Sequence, residues 1–349
     1  MTYRLSGGEM SFSQEVATVF PDFKPLVTIV IPVYNGADYL ADAINSALNQ
    51  TYELTEIIVV NDGSNDSGAT ERIALSFGDS IRYLSKANGG VASALNFAVK
   101  EMKGDYLSWL SHDDVYFKNK VSRQVGFLSA RGDRDIVVYS DYSIFTNDQF
   151  VNAIDVPMLG VPAEHFRYWI TAQSALHGCS LLVPRSAFHT VGGFNENLRT
   201  TQDYELWFRM AAHYRFVHIP EVLIGARSHA NQDTRKIADV AFNEASDLYL
   251  EFVKVLLPSE VPGNTPEEIC SSYLRLASGL WQRGFDDAAI HCAGIARKHG
   301  ASFLKVLGAQ LAAQCARIVR RSARLLFSPQ ARQAIRRFVA RMPAFQRGR

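Results

Sequence analysis

The chain has 349 residues, of which 47% are hydrophobic and 20% are charged, an ordinary composition for a globular protein that excludes disordered and collagen-like chains. The net charge is +1, but residues 288–349 contain 13 Lys and Arg and no Asp or Glu, which predicts an anionic partner for this end of the chain. The four cysteines include no CxxC pair, which argues against a zinc site and a disulfide scaffold. No apolar run is long enough to span a membrane and the N-terminus lacks a signal-peptide pattern, so we expect a cytoplasmic location.

Residues 1–24 carry no periodic pattern and are predicted to form a flexible arm. After them, β-branched runs that suit buried strands alternate with segments of helical spacing. The predicted strands are Leu26–Val33, Glu56–Val60, Ile81–Leu84, Tyr106–Leu110 and Ile136–Ser140. The predicted helices are Ala37–Asn49, Ala69–Phe77, Val91–Lys103 and Phe117–Ala130. This alternation is typical of βαβ units, so we predict an α/β fold with a mostly parallel, Rossmann-like sheet flanked by helices.

The second part of the chain has a different pattern. Residues 146–173 are rich in aromatic, Pro and polar residues and are predicted to form an irregular, variable segment. From Ile237 onward the spacing is helical throughout, over Ile237–Leu256, Glu267–Gln282, Asp286–Lys298, Phe303–Arg321 and Ala331–Arg341. We therefore predict three parts, which are the arm at 1–24, an α/β domain at 25–235 and an all-helical region at 236–349.

Polar and aromatic residues lie at the ends of the first two predicted strands, the edge where ligands bind in parallel sheets. Pro32, Tyr34 and Asn35 end the first strand, and Asp62 follows the second. Tyr34 offers a ring face for a base, while Asn35 and Asp62 offer hydrogen-bonding atoms for a base or a ribose. The alternative is a plain pair of turns, because Asn, Asp and Gly favour turns.

A glycine-containing loop precedes the predicted helix Val91–Lys103. Asn88 and Gly90 lie in this loop, and its two glycines allow a ligand to approach the backbone closely. The N-terminus of the following helix supplies N–H groups and a partial positive charge, which suit a diphosphate. A simple connecting loop is the alternative.

Two adjacent carboxylates, Asp113 and Asp114, follow the predicted strand Tyr106–Leu110. Neighbouring carboxylates repel each other unless a cation or another partner offsets them. Mg²⁺ commonly bridges one or two carboxylates to substrate phosphates. The pair therefore predicts a divalent cation site, with a solvated acidic turn as the alternative.

Three further residues have chemistry that a site can use. Asp203 lies in the first turn of a predicted helix, where a carboxylate can act as a base or only as a capping charge. Arg227 offers a clamp for phosphate. His229 offers a metal ligand or a hydrogen-bond donor, although a single histidine is more often structural.

These motifs together resemble those of family 2 glycosyltransferases with the GT-A fold. Seven strings carry the resemblance, in order from Leu26 to about His229: PVYNGADYLADAINSALNQTY, VVNDGSNDS, ANGGVASALNFA, GDYLSWLSHDD, VGGFNENL, QDYELWFRM and RSHANQ. The resemblance implies an inverting, metal-dependent transfer of a sugar from a nucleotide-sugar, with UDP as the default nucleotide, to a saccharide or lipid-linked acceptor. It also implies a place in cell-envelope polysaccharide, O-antigen or lipopolysaccharide biosynthesis.

The resemblance implies roles for particular residues. The residues implied to bind the nucleotide-sugar are Pro32, Tyr34, Asn35, Asp62, Asn88, Gly90, Asp113 and Arg227. Asp114 and His229 are implied to hold Mn²⁺ or Mg²⁺, and Asp203 is the implied general base. The chain departs from the family pattern at three positions where the family often has an acidic residue, namely Asn61, Ser111 and Gln202.

The same residues give less support to other functions. A dinucleotide oxidoreductase requires a GxGxxG loop after a strand, which the chain lacks. A P-loop hydrolase requires a lysine where Ala69 stands in the glycine-spaced segment from Gly63. The alternative that stays open is a non-catalytic protein that binds nucleotide-sugars or acts as a scaffold in glycan assembly, against which the three aspartates argue.

The basic end of the chain pairs arginines with aliphatic residues at helical spacing. Arg317 and Arg321 accompany Leu311 and Ile318, and a second stretch of this kind follows at 335–341. Basic amphipathic helices bind anionic membrane surfaces, which predicts a peripheral contact with the inner face of the cell membrane. A solvated appendage or a dimer face is the alternative. Nucleic acid is not predicted as a partner, because the arginines alternate with aliphatic rather than aromatic residues.

Overall fold

The structure, a computed structural model, describes residues 23–146, 149–156, 160–173, 175–229 and 237–326. Most of the predicted arm, and the predicted helix Ala331–Arg341, lie outside these residues. The described residues form two compact units, one that ends at Pro262 and one that begins at Gly263. Within the described residues, no helix is long and apolar enough to cross a bilayer.

The first unit contains two β-sheets. Its strands are β1 (Val27–Val33), β2 (Thr55–Asn61), β3 (Arg82–Ser85), β4 (Tyr106–Trp109), β5 (Val115–Tyr116), β6 (Ile136–Thr146), β7 (Gln149–Val156), β8 (Val183–Pro184) and β9 (Arg215–Arg227). The first sheet has the order β3-β2-β1-β4-β8, in which only the pairing of β4 with β8 is antiparallel. The predicted mostly parallel sheet is therefore confirmed.

Helices cover this sheet, as predicted. The α-helices described in the first unit are α1 (Leu40–Leu48), α2 (Ala69–Leu75), α3 (Gly90–Glu101), α4 (Lys120–Arg131), α5 (Phe166–Gln173), α6 (Arg185–Val191), α7 (Gln202–Met210) and α8 (Ala238–Val255). All seven residues of β1 are buried, which explains its continuous β-branched sequence. Ile29 and Ile31 share a core with Leu40 and Ile44 of α1, and each fully buried side chain of this size contributes about 1.5–3 kcal/mol.

The strand register brings the predicted site loops to one edge of the sheet. The parallel pairing of β1 with β2 sets Val33 opposite Asn61, and the N–H of Asp62 donates to the carbonyl of Val33 at 2.9 Å. On its other side β1 pairs with β4, which leads to the acidic pair. The loops after β1 and β4 touch, because a Cβ added at Gly36 would lie 2.3 Å from Cδ2 of His112.

The second sheet contains strands that the sequence pattern did not predict. Its order is β5-β9-β6-β7, and β9 runs parallel to β6. Strand β9 ends at Arg227 and sets Gly225 opposite Val115, which directly follows the acidic pair. The segment 146–173, predicted to be irregular, contains β7 and α5 instead.

Helix α8 packs within the first unit, so the structural division at 262 lies beyond the predicted domain boundary at 235. The rings of Phe252 in α8 and Phe208 in α7 stack with centroids 3.8 Å apart. Just after α8, Glu260 forms an ion pair with Arg167 of α5 at 2.7 Å. The stacked rings bury apolar surface of α8 against α7.

The second unit is helical, as predicted. Its described helices are α9 (Pro266–Arg283), α10 (Asp286–Lys298) and α11 (Phe303–Leu326). Thr265 and Glu268 form a capping box at the start of α9, which satisfies backbone N–H groups that the helix leaves unpaired. Gly284, with φ +94°, ends α9 in the left-handed conformation that glycine adopts most easily.

Candidate functional site

Asp62 is the centre of the candidate nucleotide pocket. Its carboxylate is buried and accepts hydrogen bonds from Nζ of Lys86 at 2.8 Å and from the N–H of Gly90 at 2.7 Å. The N–H of Gly89 donates to the same carboxylate, and Nδ2 of Asn88 donates to the Asp62 carbonyl at 2.9 Å. The carboxylate thus satisfies N–H groups at the start of α3. The structure therefore brings together three predicted residues, Asp62, Asn88 and Gly90.

The loop after β1 is held by the loop after β2. Asn35 exchanges two hydrogen bonds with Asn65, at 2.7 and 2.8 Å, and its N–H donates to Oγ of Ser64. Asn35 has φ +49°, a left-handed conformation that asparagine tolerates better than most residues. This loop leaves the Tyr34 side chain exposed, whereas Pro32 is buried within β1. Of these three predicted residues, Tyr34 is thus accessible from solvent and Pro32 lies in the core.

Asp114 is the buried member of the acidic pair. Its Oδ1 accepts a hydrogen bond from the N–H of Arg227 at 2.9 Å, and its Oδ2 accepts one from the Cys179 thiol at 3.5 Å. Nε2 of His177 lies 3.7 Å from the same Oδ2. Burial, reinforced by the charge of Asp113, raises the pKa of Asp114 well above its usual value. Protein groups therefore surround this carboxylate.

Asp113 faces a different partner. Its Oδ2 lies 2.9 Å from Nε2 of His229, and both side chains are partly exposed. Arg227 fixes the backbone here, because its Nε donates to the Asp113 carbonyl at 2.9 Å and its Nη2 donates to Asp42 at 3.0 Å. Its guanidinium group also lies 4.4 Å from the ring centre of Tyr39. Arg227 is buried, so its described contacts organise the acidic loop.

The predicted metal ligands, Asp114 and His229, have different neighbours. Asp114, His177 and Cys179 place their ligand atoms within 4.8 Å of one another, a group that could hold an ion. A thiol must lose its proton to become a ligand, and burial raises the pKa of Cys179 well above its usual value. Burial also lowers the pKa of His177 to about 4, so its imidazole is neutral. This trio of oxygen, nitrogen and sulphur donors, of which only His177 is partly exposed, suits a softer cation than Mn²⁺ or Mg²⁺.

The pair of Asp113 and His229 fits the predicted hard cation better. Asp113 supplies a carboxylate at a partly exposed position, and carboxylate oxygens are the ligands that Mg²⁺ prefers. Nδ1 of His229 is buried and has no hydrogen-bond partner among the described residues. These two residues would hold such an ion, which would supply positive charge for a diphosphate.

Asp203 lies in the first turn of α7. Its Oδ1 accepts a hydrogen bond from the N–H of Tyr204 at 2.8 Å. Burial raises the pKa of Asp203 to about 6, and the negative charge of Glu244 adds to the shift. A carboxylate with this pKa is ionised at neutral pH and is a stronger base than an ordinary aspartate.

A single segment contacts both the helix of Asp203 and the acidic pair. The Tyr204 hydroxyl donates to the carbonyl of Leu176 at 3.1 Å. One and three residues later, His177 and Cys179 reach Asp114. Sequence analysis missed both residues, because a lone His and a lone Cys at this separation from Asp114 give no local signal.

The glycine pair Gly192 and Gly193 leads into a segment that Asn96 holds on α3. Oδ1 of Asn96 accepts from the N–H of Phe194 at 2.8 Å, and its Nδ2 donates to the Phe194 carbonyl at 2.9 Å. A Cβ at Gly193 would lie 2.3 Å from Oδ1 of Asn96, so a larger residue here would displace the Asn96 side chain from these hydrogen bonds. The motif thus fixes the segment that leads into α7.

Comparisons with known proteins show the family of the chain. The sequence pattern of glycosyl transferase family 2 matches residues 28–191. An uncharacterized glycosyltransferase of Rickettsia felis is 45% identical over 240 residues, which cover 68% of this chain and 40% of that protein, so the chain spans less than half the length of this relative. One of Rickettsia prowazekii is 44% identical over 249 residues, which cover 68% of this chain and 75% of that protein.

The fold is also found in solved structures. A mannosyltransferase from Pyrobaculum calidifontis, in complex with GDP-Man and Mn²⁺, aligns with a TM-score of 0.52 over 90% of this chain and 84% of its own. The two sequences are 17% identical, so the likeness concerns the fold, which is the GT-A fold. On the identity and coverage of its Rickettsia prowazekii relative, the chain belongs to glycosyl transferase family 2.

Proposed function

We propose that the chain is an inverting glycosyltransferase that moves a sugar from a nucleotide-sugar to an acceptor hydroxyl. One observation carries the proposal, which is that the loops after β2, β1 and β4 adjoin at one sheet edge. The α3 N-terminus organised by Asp62 and the pair of Asp113 and His229 therefore lie at the same edge of the first sheet. This arrangement offers a nucleoside platform and a diphosphate site within one row of loops.

The donor would lie along this row. The exposed ring of Tyr34 suits stacking on the base. The N-terminal turn of α3, with Asn88 and Gly90, favours the negative charge of a diphosphate. We take UDP as the first nucleotide to test, on the resemblance of the motifs, and GDP as the second, because the mannosyltransferase of similar fold carries GDP-Man.

Asp113 and His229 would hold a divalent cation, and the buried Asp114 would stabilise the loop that carries them. When bound, the cation would neutralise charge on the diphosphate as it leaves. Asp114 keeps the Arg227 backbone in place, and Arg227 in turn donates to the Asp113 carbonyl. The protein thus orients the carboxylate of Asp113 before a ligand arrives, which reduces the cost of ordering the site.

Asp203 would accept the proton of the attacking hydroxyl. Attack on the face of the sugar opposite the diphosphate inverts the configuration at the anomeric carbon. General base catalysis of this kind typically contributes about 10²–10⁴-fold in rate. A raised pKa supports the role, because the proton affinity of Asp203 is closer to the working pH than that of an exposed aspartate.

A transfer assay tests the proposal. Nucleotide release from UDP-sugars and GDP-Man is measured with Mn²⁺ and saccharide or lipid-linked acceptors, for the native chain and for Asp203→Asn. We expect Asp203→Asn to bind the donor normally and to lose about 10²-fold or more in turnover. Asp239→Asn, which changes an exposed first-turn aspartate of α8, is the matched control. Near-normal turnover in Asp203→Asn would remove this residue from its role.

A non-catalytic nucleotide-sugar binder is the alternative function. It predicts nucleotide binding that depends on Asp62 and Asp113 but no nucleotide release with any acceptor. The raised pKa of Asp203 supports catalysis, because a carboxylate with this proton affinity suits a general base. The transfer assay therefore separates the two functions.

We also propose that the acceptor is a saccharide or a lipid-linked saccharide of the cell envelope, met at the inner face of the membrane. Leu304, Leu311 and Ile318 of α11 are 75%, 54% and 63% exposed, and they lie on one face of the helix. Exposed apolar residues within a region that has 13 basic and no acidic residues suit an anionic lipid surface. The second basic stretch, at 335–341, lies outside the described residues. Equal flotation of the full chain with anionic and neutral vesicles would contradict this contact.

A further inference from the structure

Glu244 of α8 forms an unusually dense set of contacts with the loop before α7. Its carboxylate accepts hydrogen bonds from the N–H groups of Arg199 at 2.7 Å and of Thr200 and Thr201 at 2.8 Å. The hydroxyls of Thr200 and Thr201 also donate to it, each at 2.8 Å. One side chain thus collects five donors from three consecutive residues, although it lies more than 40 positions away in the sequence.

These contacts hold the three residues that directly precede helix α7. Helix α7 begins at Gln202, and the side chain of its N-cap residue, Thr201, makes no capping hydrogen bond. The first N–H groups of a helix need acceptors and favour a nearby negative charge. Glu244 supplies such a charge from a neighbouring helix, and the turn that follows carries Asp203.

We propose that Glu244 is a positioning residue for Asp203, because it fixes the loop 199–201 and with it the start of α7. The inference rests on the proposed role of Asp203 as the base and adds a residue that no motif of the sequence indicates. A displacement of about 1 Å at a reacting group can cost on the order of 10²-fold in rate. A loop held by five hydrogen bonds limits such displacement.

The negative charge of Glu244 should also affect the pKa of Asp203. Although burial opposes it, the N–H groups of Arg199 and Thr200 and the two threonine hydroxyls lower the pKa of Glu244, so it is ionised when Asp203 titrates. The titratable groups that act on Asp203 include Glu244 and Tyr204, and the hydroxyl of Tyr204 stays neutral. Removal of the Glu244 charge should therefore lower the pKa of Asp203.

Three variants test the inference in the transfer assay over pH 5 to 8. Glu244→Gln keeps the size of the side chain but loses its charge, and its amide N–H₂ opposes one of the N–H donors. We expect a fall in kcat of about 10-fold or more, a donor KM within about 2-fold, and an acid limb of the pH profile that moves to lower pH. Glu244→Asp keeps the charge on a shorter stem, so we expect a reduced kcat with the acid limb in its original place.

Glu251→Gln is the matched control, because it removes the same charge from an exposed position of the same helix, where Glu251 pairs with Lys254. It should leave both kcat and the pH profile unchanged. The inference would be overturned if Glu244→Gln had the same kcat and the same acid limb as the control while Asp203→Asn was inactive. That result would leave the proposed role of Asp203 as the base intact. Full activity of Asp203→Asn would instead reject the proposed role of Asp203 as the base, and absence of transfer by the native chain would reject the proposed function. Thermal unfolding of each variant, followed by circular dichroism, checks that the comparison concerns folded protein.

Discussion

Substitution of Asp62 by asparagine is expected to destabilise the first unit, because the Asp62 carboxylate is used by the protein itself. The substitution keeps the shape of the side chain and removes its charge. Gly89, Gly90 and Lys86 all donate to this carboxylate, and its side chain is only 4% exposed. In the Asp62→Asn variant, an N–H₂ group replaces one of the two carboxylate oxygens and faces donors rather than acceptors.

The size of the effect follows from these contacts. A hydrogen bond to a charged group contributes about 1.5–3 kcal/mol and one to a neutral group about 0.5–1.5 kcal/mol, so each donor loses roughly 1 kcal/mol. The contribution of Lys86 is discounted, because its side chain is 20% exposed and solvent screens the pair. We expect a total loss of about 2–3 kcal/mol. For a unit of this size, about 2–4 °C per kcal/mol gives a fall in Tm of roughly 4–12 °C.

Thermal unfolding of Asp62→Asn against Asp79→Asn measures this loss. Asp79 lies in an exposed short turn, so its variant should change stability by less than about 0.5 kcal/mol. Calorimetry with UDP on the same proteins shows whether nucleotide binding weakens together with stability. An unchanged Tm with weakened UDP binding would refute the reasoning, since it would mean that the carboxylate faces the ligand and does not organise the loop.

Three further outcomes are expected. Gly193→Ala should lower Tm by several degrees, because its Cβ would lie 2.3 Å from Oδ1 of Asn96. The reference is the Tm of Gly126→Ala, whose Cβ would lie near no atom within 4 Å. The rate of transfer should fall as the pH drops through about 6, because Asp203 must lose its proton to act, and a flat profile from pH 5 to 8 would contradict this. Chelation by EDTA should abolish transfer, and added Mn²⁺ should restore it in the native chain. Titration of the transfer rate with Mn²⁺ should show that Asp113→Asn needs a concentration of the ion at least about 10-fold higher.

Much of the first sheet was predictable because its strands are buried on both faces. A strand such as β1, with all seven residues in the core, has a continuous β-branched sequence that periodicity alone identifies. The helices between the strands followed from the spacing of residues such as Leu40 and Ile44. The ends of these elements shift by a few residues, since caps and turns depend on contacts outside each segment.

Strand β9 escaped prediction for a physical reason. Pro220 lies in its middle, and a proline argues against a central strand because it cannot donate a hydrogen bond to a neighbour. The structure accommodates it in a register shift, in which Ser140 pairs with Ile219 and the next residue, Asp141, pairs with Val222. Such a bulge depends on the partner strand, so the sequence of β9 alone does not reveal it.

The residues of the candidate site likewise fall into those that a local sequence motif reveals and those that only the fold reveals. Asp62, Asn88 and Asp113 follow strand ends or precede a helix, and a motif of a few residues shows this. Glu244 and Cys179 act across long sequence separations, through a helix and a turn whose positions are set by packing. Their roles therefore appear only when the chain is folded.

A crystal structure of the chain with UDP and Mn²⁺ would show whether the diphosphate binds between the α3 N-terminus and the acidic loop. The account predicts anomalous density for Mn²⁺ within ligand distance of Asp113 and His229, with the diphosphate between the ion and Gly90. Density for the ion among Asp114, His177 and Cys179, or a nucleotide bound away from this edge of the sheet, would contradict it.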